Sequence, residues 1–127
     1  MIKVKIDTKE IFHVISIEET NLTANMAEDL MELVAKKQEE ENKSLVFNLE
    51  GVFSMDDKIA VAFQSLHETC YANHLSMVVC GLSPAVKSKF QEHYLSDTIN
   101  ITPTESEAWD IVQMEEIERE LNAGFPK

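Results

Sequence analysis

Glycine is scarce in this sequence: Gly51, Gly81 and Gly124 are the only three among 127 residues. A GxGxxG turn or a phosphate-cradling P-loop needs several glycines in one short stretch, so both devices are excluded. Basic residues are few as well, 11 against 23 Asp and Glu, and the net charge is −12. That balance repels nucleic acid and an anionic membrane surface, and it steers a basic partner inward. No run reaches the roughly 18 apolar residues of a membrane span, so no membrane insertion is expected. The N-terminal MIKVKIDTKE mixes charge through its length and lacks the apolar core of a signal peptide. The cytoplasm is therefore the expected compartment, and Cys70 and Cys80 are expected to be reduced.

What is present fits one soluble domain spanning residues 1–127. Hydrophobic residues make up 44% and charged residues 27%, which suffices for one closed core. The acid is unevenly placed. Pro103 to Asn122 holds seven Asp or Glu and one Arg, so this segment carries −6, half the total. An acidic C-terminal helix over about 104–122 is expected, with its charge on solvated faces.

Alternating patterns in IKVKI and IFHVISI, separated by DTKE, predict a hairpin. A helix pattern follows, with Met26, Leu30, Leu33 and Val34 on one face. SLVFNL and LSMVVCGL read as strands covered on both faces. Between them Ile59, Ala62, Phe63, Leu66 and Cys70 form the inward stripe of a second helix. Ser83-Pro84 opens a third helix, TINI is a last strand, and Thr104-Glu-Ser-Glu107 is a capping box for a fourth helix. In that helix Ala108, Ile111, Val112, Met114, Ile117 and Leu121 recur at helical spacing, and Gly124 and Pro126 stop it. The order is β-β-α-β-α-β-α-β-α, an α/β fold with a mixed sheet of four to five strands, a parallel core and right-handed crossovers.

Enzyme signatures are missing: there is no nucleophile elbow and no HExxH. His67, Cys70 and His74 stand at i, i+3 and i+7, where they could share one side of the second helix. No CxxC or acidic cluster completes a ligand set, so no metal and no cofactor is expected. Cys80 has no recognisable base and reads as a buried strand residue. Ser54-Met-Asp-Asp57 fits a second capping box, with Ser54 as N-cap and Asp56 and Asp57 complementing the helix dipole. No catalytic residue emerges.

Two stretches carry a family resemblance. LVFNLEGVFSMDD, followed by an apolar helix, and MVVCGLSPAVKSKF resemble the corresponding segments of STAS domains, specifically the bacterial anti-anti-sigma factors, or anti-sigma factor antagonists. The element order agrees along nearly the whole chain. The family's loop reads Asp-Ser-Ser-Gly, and partner kinases phosphorylate its second serine. On that pattern Asp56 falls on the aspartate, Asp57 on the first serine, Lys58 on the phosphorylated serine and Ile59 on the glycine. The resemblance implies a STAS-like fold and a non-enzymatic role in transcription regulation through protein–protein interaction. It implies a partner-binding loop of Ser54, Asp56, Asp57 and Lys58, and a partner such as an anti-sigma factor kinase-like protein. The acceptor hydroxyl is absent at Lys58, so the usual phospho-switch, which adds about −2 charge at a helix N-terminus, is not available there. The lysine is expected to pair with Asp57 or Glu50, or to point to water. Two alternatives stay open on the same fold: a small-ligand or lipid-transport accessory domain, and a structural subunit or homodimer.

Overall fold

The computed structural model describes residues 2–124. Strands β1 (Val4–Thr8) and β2 (Phe12–Ile17) form the expected antiparallel hairpin, in the register Val4 opposite Ile17. The short β3 (Asn21–Leu22) leads into α1 (Met26–Glu40), and β4 (Ser44–Asn48) follows. A second short strand, β5 (Ser54–Met55), precedes α2 (Asp57–Ala72), and then come β6 (Met77–Cys80) and α3 (Pro84–Glu92). A single 3-10 turn (Leu95–Asp97) leads to β7 (Asn100–Thr102) and the long α4 (Glu105–Gly124).

The main sheet has five strands in the order β1-β2-β4-β6-β7, with only the β1–β2 pair antiparallel. Side chains alternate across it, which explains the apolar runs of its central strands. On one face Ile15, Leu45, Phe47, Met77 and Val79 meet α1, α2 and α3 through Leu30, Val34, Phe63, Leu66 and Phe90. On the other face Phe12, Val14, Val46, Val78 and Cys80 meet Ala108 and Val112 of α4. The larger core therefore lies under the three crossover helices.

The structure adds detail at three places and one element that was not expected. The last strand begins at Asn100, two residues beyond the start of TINI, because Leu95–Asp97 and the residues after it first make a tight turn. Helix α4 extends through Gly124, so that glycine is its last residue; Pro126 lies outside the described residues. Met114, Ile117 and Leu121, which share their helical spacing with the buried Ala108 and Val112, are exposed. A two-stranded parallel ladder, β3 with β5, was not foreseen at all: Asn21 pairs with Ser54 and Leu22 with Met55. Each strand is only two residues long, too short to leave an alternation to read.

Candidate functional site

The segment from Leu49 to Lys58 leaves the end of β4 and rises to the start of α2. It is fixed by backbone before any side chain acts. Leu49 N–H donates to Cys80 O at 3.0 Å, and Val52 N–H donates to Leu49 O at 2.9 Å, closing a turn. Phe53 N–H donates to Thr20 O at 2.7 Å and Asp56 N–H to Leu22 O at 2.9 Å, which ties the loop to β3. Gly81 sits beside the turn with φ +72°, and a Cβ there would lie 3.2 Å from the Glu50 backbone. Only glycine reconciles that conformation with that approach.

The side chains then lock the loop to its neighbours. Ser54 is not the N-cap; it lies in β5 and its Oγ donates to Asn21 Oδ1 at 2.5 Å. The N-cap is Asp56, in extended conformation, yet its carboxylate makes no capping bond to α2. Asp56 Oδ2 instead accepts from Ala24 N–H at 2.7 Å, across to the turn before α1. The capping box read over residues 54–57 is thus replaced by tertiary contacts, because Asn21 of β3 and the turn before α1 offer partners in place of the helix's own first turn. Asp57, the first helical residue, accepts at Oδ1 from Lys89 Nζ and from His93 Nε2, both at 3.0 Å. These bonds, His93 first and Lys89 second, hold the Asp57 carboxyl below the usual range.

Lys58 takes none of these partners. Its side chain is exposed and makes no hydrogen bond or ion pair among the described residues. Of the three outcomes expected for it, pairing with Asp57, pairing with Glu50 or pointing to water, the geometry gives the last. Asp57 is already engaged by Lys89 and His93. Phe53 and Val61 stand exposed on either side in the sequence, at 63% and 54%. From Lys58 a shallow apolar groove of about 380 Å³ runs between α1 and α2 past Val61 and Ser65, with Ala27 and Met31 on its facing side.

The other candidate chemistry disperses. Helix α2 ends at Ala72, and His74 follows in a left-handed conformation at φ 60°. The His67, Cys70, His74 spacing therefore does not run along one helix. His67 packs on Tyr71, with ring centroids 4.5 Å apart, and Cys70 is buried in the core stripe, where burial pushes its thiol up to about 11. Burial, with Glu105 and Glu50 nearby, pushes the Cys80 thiol up to about 12, so neither sulfur is an activated nucleophile. Sequence reasoning missed Asn21, Lys89 and His93 as the residues that hold the loop. No local pattern marks them, since each reaches the loop from a distant element. It also missed Phe53 and Val61; Val61 could have been found as the apolar residue that falls off the stripe of Ile59, Ala62, Phe63 and Leu66.

Known structures share this architecture. Unphosphorylated SpoIIAA, an anti-sigma factor antagonist, superposes with a TM-score of 0.75 at 18% identity, covering 87% of this chain and 96% of that one. An RsbS variant from Moorella thermoacetica gives 0.74 at 18% identity, covering 92% and 98%. The murine anion transporter Slc26a9 gives 0.68 at 14% identity over 81% of this chain, which corresponds to 18% of the transporter. At such identities the likeness concerns the fold. No curated protein sequence matches the chain. The family model for the STAS domain matches residues 4–108, most of the chain, and with the observed sheet order this shows that the chain belongs to the STAS domain family.

Proposed function

We propose that this STAS domain is a non-enzymatic docking module, similar to an anti-sigma factor antagonist, that engages a protein partner through the Ser54–Lys58 loop and the first turns of α2. In this reading Lys58 stands as a fixed cation where the relatives carry a switchable serine, and the domain is not turned off by phosphorylation at that position. The supporting observation is the contrast within one loop: Ser54, Asp56 and Asp57 are all spent on holding it, while Lys58, Phe53 and Val61 are left to solvent. A surface held rigid in this way loses little entropy on binding. A partner such as an anti-sigma factor kinase-like protein, with an acidic group to meet Lys58 and apolar side chains for Phe53 and Val61, has the matching chemistry.

Affinity capture with the full chain, read by mass spectrometry, tests this. Lys58→Glu and Asp56→Ala are each expected to lose the same captured protein, the first by charge and the second by loosening the loop. Capture unchanged in both variants sinks the loop as the interface. Incubation with the captured partner and ATP is expected to leave the loop without phosphate. Phosphate on Ser54 would show a relocated switch in place of a missing one. Lys58→Glu carries a second expectation. It removes a positive charge from the first turn of α2, so it should stabilise the fold by about 0.3–1 kcal/mol in urea denaturation while weakening docking.

A further inference from the structure

Helix α4 presents apolar side chains on two sides. Toward the sheet it buries Ala108 and Val112. The same side carries a polar row: Glu115 accepts from Tyr71 Oη at 2.6 Å and from Asn100 Nδ2 at 3.2 Å, and Glu116 accepts from Ser44 Oγ at 2.8 Å. Arg119 donates to Glu116 Oε1 at 2.7 Å and also to Ser76 Oγ. These contacts hold α4 down without help from Met114, Ile117 and Leu121, which are 60%, 55% and 54% exposed. Their spacing of three and then four residues sets them in one stripe on the solvent side.

The rim of that stripe has one sign of charge. Glu107, Asp110, Glu118 and Glu120 are all exposed on the outward half of the helix. Glu107 is engaged by Thr104, while Asp110, Glu118 and Glu120 have no hydrogen bond or ion pair among the described residues. Arg119 is the only base in the helix, and it is turned inward. No basic side chain among the described residues pairs with Asp110, Glu118 or Glu120, so this face offers its negative charge outward.

We propose that the outward face of α4 docks a basic amphipathic helix of another protein. An apolar seam on that helix packs over Met114, Ile117 and Leu121, and flanking Lys or Arg side chains meet Asp110, Glu118 and Glu120. A second copy of this chain is the poorer occupant, because it would set the same acidic rim against itself in molecules that each carry −12. The face lies on the opposite side of the sheet from α1–α3. A partner there leaves the Lys58 loop free, so the two surfaces can be occupied together, and this docking site does not depend on the function proposed for the loop.

The test uses the full chain and two fluorescent helical peptides, one with leucines at the a and d positions and lysines flanking them, the other its twin with glutamates for lysines. The lysine peptide is expected to bind in anisotropy titrations, to weaken with added salt, and to discriminate by at least about tenfold against its twin. Ile117→Ser combined with Leu121→Ser should weaken it at least about tenfold, and Asp110→Asn combined with Glu118→Gln a few-fold, with unchanged circular dichroism because all four side chains are exposed. Lys58→Glu should leave the affinity as it was, which separates this result from any failure at the loop. Equal binding of the twins, no binding of either, or full affinity in the double-serine variant overturns the proposal. So does sedimentation showing a dimer that the double-serine change abolishes, since that would assign the stripe to a second copy.

Discussion

Two helix starts in this molecule share one sequence pattern and put it to different uses. Ser54-Met-Asp-Asp57 before α2 and Thr104-Glu-Ser-Glu107 before α4 both set a hydroxyl and a carboxylate three residues apart. Before α4 the pattern closes on itself: Thr104 Oγ1 accepts from Glu107 N–H at 3.4 Å and donates to Glu107 Oε1 at 2.9 Å. Before α2 every member reaches elsewhere, to Asn21, to Ala24, and to Lys89 with His93. Local capping is worth about 1 kcal/mol, so tertiary partners on neighbouring elements can replace it. The α4 start is a helix end and no more. The α2 start is a junction of three elements that spends its acids internally and leaves its lysine outside.

The largest way to break this contrast is Gly81→Ala. The new Cβ would meet the Glu50 backbone at a positive φ, and strain of this kind costs about 1–3 kcal/mol. The turn feeding the α2 junction should move while α4 stays in place, so urea denaturation should show the loss and amide shifts should change around residues 50–58 and not around 105–112. Shifts spread evenly over both regions would mean the junction is not a local unit. Next come Asp56→Ala and Thr104→Ala, each expected to destabilise by about 1 kcal/mol in the same assay. They differ in place. The first should raise hydrogen exchange at Ala24, the second only within the first turn of α4. Ser54→Ala should cost less than about 0.5 kcal/mol, because an exposed hydroxyl-to-amide bond is lost and no cap. A cost matching that of Thr104→Ala would show that Ser54 caps after all.

How much of this was legible in the sequence follows the same division. The hairpin follows from alternation, the central strands from short apolar runs covered on both faces and the four helices from helical spacing, because each element buries a continuous face or both its faces in the core. The caps at Ser83 and Thr104 were legible because their partners lie within three residues: Val86 N–H donates to Ser83 Oγ at 3.4 Å. The β3–β5 ladder and the Asp57 contacts were not legible. Asn21 and Ser54, or Asp57 and His93, lie more than thirty positions apart in the chain, and no period links them. The outward turn of Met114, Ile117 and Leu121 was hidden for another reason. An apolar residue at helical spacing reads as core whichever side it takes, and only the sheet's position decides.

The smallest expected effect concerns Asp57, and it bears on whether α3 helps to hold the junction. Its carboxyl is held below the ordinary value by His93 and Lys89, so the ionised form is favoured more in the folded chain than in the unfolded one. A depressed carboxylate contributes stability above the ordinary aspartate value of about 3.9, and that contribution fades as pH falls through the folded value. The group is exposed, which keeps the effect modest and salt-sensitive. Asp57→Asn should therefore have a lower urea midpoint than the wild type at pH 7. The two midpoints should converge as the pH drops below about 4, where the wild-type carboxyl gains its proton and loses its advantage. Added salt at pH 7 should narrow the same gap. Midpoints that stay parallel through the acid range would show that the Lys89 and His93 contacts do not contribute in solution. The α2 start would then rest on its contacts with β3 and with the turn before α1.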